Sequence, residues 1–289
     1  MDSPLLDVKN LRVSFRGMRG TVEAVRGISF SLGCQKVGIV GESGSGKSMT
    51  GRAILRLTPK IAQVEADRLC LGDIDILAMS EAQMRQIRGG HVSMILQDPK
   101  YSLNPLMQVG QQIAEAYRLH HHAPRTEARE RALAMLEAVH IRDPQRVYNQ
   151  YPHEISGGMG QRIMIAMMLI PEPGLIIADE PTSALDVTVR NQVLSILEEQ
   201  LERREAGLLF ISHDLNLVAE FCDRVLVMYA GRIVEDLPAA MLDEACHPYT
   251  RALLGSLPRI DHPIDVLKVP ERSPDWLDGP VYVNGRMST

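Results

Sequence analysis

Residues 37–50, VGIVGESGSGKSMT, set a short apolar run directly before three glycines, a lysine and a serine. Gly41, Glu42, Ser43, Gly44, Ser45, Gly46, Lys47 and Ser48 fit the pattern G-x-x-x-x-G-K-[ST]. The glycines let the backbone turn tightly, so that successive N–H groups converge on phosphate oxygens. A helix that starts where the loop ends turns its positive end on the same anion. Lys47 is long enough to reach the outer phosphates of a nucleotide, and the Ser48 hydroxyl can hold Mg2+. A glycine-rich turn without a ligand would need neither the strand before it nor the helix after it.

Acting on a bound nucleotide takes a second metal contact and a group that activates water. LIIADE, residues 175–180, ends an apolar run in two carboxylates. Asp179 would meet Mg2+ from the strand end, and Glu180 would orient or deprotonate the attacking water. By itself the pair could equally be the acidic start of a helix; the phosphate loop upstream favours the catalytic role. HEISGGMGQR, residues 153–162, is a third anion-binding pattern. Ser156 can cap a helix whose first N–H groups are left bare by Gly157 and Gly158.

These groups need elements to hold them. Residues 5–15 and 22–32 alternate apolar and polar side chains and predict antiparallel strands. Residues 36–40 predict a strand and 49–57 a helix stopped by Pro59, the first half of an α/β unit around the loop. From 97 to 170 the texture turns helical, most plainly in EARERALAMLEAV at 127–139. Short all-apolar strands return at 174–178 and 208–211, with an amphipathic helix over 187–205 between them. Residues 225–228 and 232–234 flank YAG, a hairpin signal, and the proline-rich stretch from 258 predicts a loosely packed tail.

The 289 residues are 45% hydrophobic and 23% charged, an ordinary globular balance. A net charge of −5 disfavours a nucleic-acid partner held by a basic face. Cys34, Cys70, Cys222 and Cys246 are scattered without a CxxC pair, as expected of reduced thiols in the cytosol. The N-terminal MDSPLLDVKN lacks the pattern of a signal peptide. The longest apolar run, 163–170, ends at Pro171, far short of the about 20 residues that span a bilayer. A membrane role would need other chains as the anchor.

With the three motifs in this order, the chain resembles the ATPase subunits of ABC transporters over roughly residues 5–258. The resemblance implies an α/β fold: a P-loop NTPase core with a mixed sheet, an N-terminal antiparallel β part and an inserted α-helical subdomain. It places the nucleotide-binding core in 1–96 and 171–245, the helical subdomain with the signature in 97–170, and a C-terminal segment in 246–289. It implies ATP and Mg2+ as ligands, with Ser156, Gly157 and Gly158 serving the γ-phosphate held by a second subunit. Gln97 in MILQDP would join the metal site to the helical subdomain, with Ser48 and Asp179 as the other metal contacts. SALD at 183–186 would line the subunit seam, His213 would contact the γ-phosphate, and Phe15 would lie under adenine. The implied partners are two membrane-spanning permease subunits, a second ATPase (a paralogue or another copy) and, indirectly, an extracytoplasmic substrate-binding protein. The implied place is the cytoplasmic face of the bacterial inner membrane, as a peripheral subunit.

QDPKYSLNPLMQVGQQI at 97–113 and HPYTRALLGSLPR at 247–259 are similar to the oligopeptide, dipeptide and nickel importer branch. Peptide import is the first expectation and nickel import the alternative. Many members of that branch carry a cysteine cluster after HPYT; this chain has no cysteine beyond Cys246, so no iron–sulfur cluster is expected. Met159 stands where glutamine is usual, and Gly160 where a basic or larger residue is usual, at a cost of about 1 kcal/mol for glycine in a first helical turn. His120, His121 and His122 are expected in a solvated loop rather than at a nickel site, because adjacent histidines do not share a helix face. A soluble relative acting on nucleic acid or ribosomes would carry a coiled-coil insertion or two cassettes. A regulatory subunit that does not hydrolyse ATP would usually lack Glu180 or His213.

Overall fold

The computed structural model describes residues 4–17, 20–183, 185–256, 273 and 275–288. Strands β1 (Leu6–Gly17), β2 (Gly20–Leu32) and β3 (Lys36–Val40) lead into helix α1 (Lys47–Ile54). Short strands β4 (Ala62–Glu65), β5 (Arg68–Leu71) and β6 (Ile74–Asp75) precede α2 (Glu81–Gly90) and β7 (Val92–Ile95). Four helices follow: α3 (Val109–His121), α4 (Arg125–Ala138), α5 (Pro144–Tyr148) and α6 (Gly157–Leu169). Then come β8 (Leu175–Asp179), α7 (Val187–Glu202), β9 (Gly207–Ile211), α8 (Leu215–Phe221), β10 (Arg224–Tyr229) and β11 (Arg232–Pro238). The chain closes with α9 (Pro248–Gly255), α10 (Asp275–Asp278), β12 (Val281–Val283) and β13 (Arg286–Ser288). Among the described residues no helix is long and apolar enough to cross a membrane.

Two compact units result, 1–77 with 209–289, and 78–208. In the first, the alternating β1 and β2 pair antiparallel, Val8 opposite Phe30 and Val13 opposite Val25. Leu6 and Val8, and again Leu11 and Val13, are buried with a period of two, the register shifting between Val8 and Leu11, where Asn10 lies in the left-handed region. β4 and β5 both add to β1. A second set of strands runs β13-β12-β11-β10-β3-β9. β3 and β10 are parallel, with Ile39 beside Leu226. Beyond their first residues, Lys36 and Arg224, both are buried and largely apolar, as strands covered on both faces must be.

The second unit has the parallel pair β7 and β8, Met94 beside Ile177, and helices α2 to α7. Between 97 and 170 its regular structure is helical throughout, with single 3-10 turns at Pro99–Tyr101 and Pro152–Glu154. α1 begins two residues earlier than its apolar spacing suggested and ends at Ile54, well before Pro59.

The tail differs from expectation where it is described. Residues 257–272 and 274 lie outside the described residues, and with them most of the stretch expected to be loose. Beyond them, β12 adds in parallel to β11 and pairs with β13 as a hairpin. The α10 backbone is held too: the Leu277 carbonyl accepts from Arg26 and Arg232, and Asp278 pairs with Arg26 at 2.8 Å. The histidines differ as well. His120 and His121 close α3 and His122 caps it in the left-handed region. His121 stacks on Tyr117 with centroids 4.3 Å apart, and burial lowers the His120 pKa. No group of three or more His, Cys, Asp or Glu side chains among the described residues could hold a metal ion.

Candidate functional site

In the first unit, β3 delivers the chain to the glycine loop and α1 receives it. Gly41, Gly44 and Gly46 have φ of 153°, 81° and 104°. Side chains rarely adopt these angles, but the three glycines answer to different neighbours. A Cβ on Gly41 would lie 2.1 Å from the Met228 carbonyl oxygen of β10. One on Gly46 would lie 2.4 Å from the Ala24 carbonyl of β2. At Gly44 it would meet nothing within 4 Å, so there only the backbone angle demands glycine. The loop is thus squeezed between two strands as well as shaped to wrap an anion.

Lys47 is 5% exposed, and its Nζ donates to the Gly41 and Glu42 carbonyls at 2.8 and 2.9 Å. The ammonium lies inside the ring of the loop. Ser45 is buried, and its hydroxyl has no hydrogen-bond partner among the described residues. The Glu42 N–H donates to the Tyr249 hydroxyl at 3.1 Å, and the Ser45 carbonyl accepts from Gly231 at 2.9 Å. A buried cation, an orphan hydroxyl and a helix start fit a phosphate group.

His213 follows β9 and is exposed. The preceding Ser212 N–H bonds to the Ile39 carbonyl at 3.1 Å, so His213 leaves the strands at the end where β3 enters the loop. Asp214 caps α8 through the Leu217 N–H. Phe15 is half-buried on β1, opposite Val22 and Ala62.

In the second unit, β8 is buried along its length and ends in Asp179, 5% exposed. Glu180 follows in the left-handed region at φ 50°. Such a conformation in a non-glycine residue is uncommon and concentrates at functional positions. Because β7 and β8 are parallel and in register, Gln97 and Glu180 emerge side by side, Nε2 to Oε2 at 3.4 Å. Gln97 and Asp179 offer amide and carboxylate oxygens, and in the first unit Ser48 offers a hydroxyl; each by itself is a hard donor of the kind that suits Mg2+.

Ser156 caps α6, its hydroxyl accepting from the Met159 N–H at 3.4 Å. Gly157 is exposed, and a Cβ there would meet nothing within 4 Å. Gly158 is tighter, 3.0 Å from the Val189 Cγ1. Gly160 is buried, its position 3.5 Å from Pro99. A methyl fits there, so the side chain missing at 160 would first have met Pro99 of this same chain. In SALD, Ala184 lies outside the described residues. Ser183 bonds back to the Glu180 carbonyl at 3.2 Å, and Asp186 caps α7 through the Thr188 and Val189 N–H groups.

Two residues escaped the sequence. Gln161, wholly buried on α6, donates to the Pro181 carbonyl and so ties the helix behind Ser156 to the turn that carries Glu180. Its only local signal is a polar residue on the apolar side of α6. Tyr249 reaches the phosphate loop from 207 residues away, with no local signal at all.

The family model described as ABC transporter matches residues 25–183, and the oligopeptide/dipeptide transporter C-terminal region matches 236–280. A probable peptide ABC transporter ATP-binding protein of Sinorhizobium fredii is 49% identical, over 88% of this chain and 77% of its own. The dipeptide transport ATP-binding protein DppD of Bacillus subtilis is 47% identical, over 89% and 78%. Among solved structures, a bacterial ABC transporter cassette determined as a dimer is similar at TM-score 0.70 and 25% identity. That similarity covers 81% of this chain and 98% of the cassette.

Proposed function

The chain belongs to the ABC transporter ATP-binding family, and on that premise we propose that it hydrolyses ATP to drive the import of peptides. The observation that carries this is the buried Lys47 ringed by the Gly41 and Glu42 carbonyls, in a chain whose C-terminal region is of the oligopeptide type. Relatives named for peptide transport or peptide import support the cargo.

On this account Lys47 exchanges its two loop carbonyls for the outer phosphates, and the amides of the loop and of the α1 start bind the rest. Ser48, Gln97 and Asp179 would hold Mg2+, which when bound neutralises charge on the phosphate oxygens. Glu180 accepts the proton of the water that attacks the γ-phosphorus as the bond to ADP breaks, and Gln97 steadies its carboxylate. His213 contacts the γ-phosphate, and Phe15 lies under adenine. Residues 97–170 carry the movement to the permease.

Ser156, Gly157 and Gly158 serve the nucleotide of a second ATPase subunit, a paralogue or another copy. Gly157→Asp tests this with less disturbance than a change at Gly158, since its Cβ meets open space. The added carboxylate would repel the partner's γ-phosphate. In the assembled transporter, phosphate release should fall by about 10-fold or more, the scale of one like-charge contact of about 1.4 kcal/mol or more. Equilibrium ATP binding to the variant chain itself should stay within about 2-fold of wild type, on the same scale. Unchanged hydrolysis would exclude the shared site.

The assembly has two membrane-spanning permease subunits and an extracytoplasmic binding protein, and this chain is held peripherally at the cytoplasmic face of the inner membrane. Deleting the chain should abolish uptake of short peptides and leave nickel-dependent enzymes active. Lost nickel uptake with intact peptide uptake would overturn the peptide reading in favour of nickel.

A further inference from the structure

Tyr249 is wholly buried, the largest side chain to be so among the described residues. A buried tyrosine hydroxyl needs a partner, and here it accepts the Glu42 N–H at 3.1 Å. That N–H shares one peptide plane with the Gly41 carbonyl, which accepts from Lys47 at 2.8 Å. The N–H and C=O of a trans peptide point opposite ways from a rigid plane. Tyr249 and Lys47 therefore hold the two ends of a single peptide unit at the mouth of the phosphate loop.

Tyr249 is itself anchored. Its N–H donates to the His247 Nδ1 at 3.1 Å, and burial lowers the His247 pKa, which keeps that nitrogen an acceptor. The buried Glu235 carboxylate of β11 accepts from the Cys246 and His247 N–H groups at 2.6 and 3.2 Å. The Tyr249 ring lies 4.5 Å from Tyr229 and 5.7 Å from Trp276, the one tryptophan in the sequence.

Resting on the reading that residues 41–48 bind ATP, we infer that Tyr249 is a positioning residue for the phosphate loop and that Trp276 reads the loop's occupancy through it. When Lys47 turns to phosphate, the Gly41 carbonyl gives up that donor while the Tyr249 hydroxyl still holds the other end of the same peptide. The loop then stays in its binding shape without a further ordering cost. Any shift of the plane passes to the Tyr249 ring and its aromatic neighbours.

The test uses the full chain, a slowly hydrolysed ATP analogue with Mg2+, and two readouts, labelled-analogue binding and Trp276 emission. In the wild type the emission should change and saturate with the same Kd as the label. Tyr249→Phe keeps the ring and removes the hydroxyl. It should raise Kd and the KM for ATP about 3- to 10-fold, the scale of one hydrogen bond, with kcat nearly unchanged. Its emission change should be less than about half that of the wild type if the single bond carries the signal. A role in packing alone would lower the melting temperature without dividing KM from kcat. Wild-type Kd, KM and emission change in Tyr249→Phe would overturn this inference alone, provided Lys47→Ala abolishes label binding. No label binding to the wild type would overturn the nucleotide reading and this inference with it. If Tyr249→Phe does not fold, the wild-type titration decides: emission that stays flat while the label saturates overturns the inference.

Discussion

A Glu180→Gln chain should bind ATP at close to wild-type affinity and turn it over about 10²-fold more slowly or worse, the scale of a lost general base. The carboxamide keeps the size and hydrogen-bonding reach of the carboxylate but cannot take a proton from water. The position is also fixed by its surroundings. β8 is buried up to Asp179, Glu180 sits at φ 50°, and the Gln161 side chain holds the Pro181 carbonyl behind it. The substitution should therefore remove the base without moving the backbone. With ATP uncleaved, ATP-bound pairs of ATPase subunits should persist, visible as a higher molar mass with ATP than with ADP. Near-normal phosphate release would mean that Glu180 is not the base.

The loop and the strand that carry the candidate chemistry were more legible in the sequence than the contacts that hold them. Residues 41–48 and 175–180 could be read because a tight loop and a buried strand each impose a local pattern. The β1–β2 pair could be read for the same reason, since alternation along each strand follows from one buried face. What could not be read depends on partners distant in sequence. Tyr249 looks like any aromatic in a short helix until the fold brings Glu42 to its hydroxyl. Gln161 shows only as a polar residue on the apolar side of α6 until the fold brings the Pro181 carbonyl to it. β12 and β13 are three residues each and polar in part, so no period shows before β11 supplies an edge. The helix caps lie between these cases. The family resemblance puts Asp186 at a subunit seam, and within the chain its visible work is to cap α7. The Ser80 and Gln83 capping box of α2 is a local pattern of the same kind.

Lys47→Ala should weaken ATP binding by about 10²-fold or more and remove measurable hydrolysis. Hydrogen bonds to charged groups contribute about 1.5–3 kcal/mol each, and this ammonium can offer more than one to the outer phosphates. Lys47 is the one lysine or arginine of the loop motif, and its Nζ already lies within the loop. Removing it also leaves the Gly41 and Glu42 carbonyls without that donor, so the melting temperature should be followed alongside. A folded Lys47→Ala chain that binds and hydrolyses ATP like the parent would show that the glycine loop is structural only.

Whether ATP hydrolysed by this chain powers peptide entry is measured in vesicles holding the assembled transporter. Phosphate release and accumulation of a labelled short peptide are measured together, with ATP supplied on the side of this chain. Both should proceed in the wild type, and both should stop with Lys47→Ala. Peptide accumulation that continues at the wild-type rate while the Lys47→Ala transporter releases no phosphate would contradict that coupling.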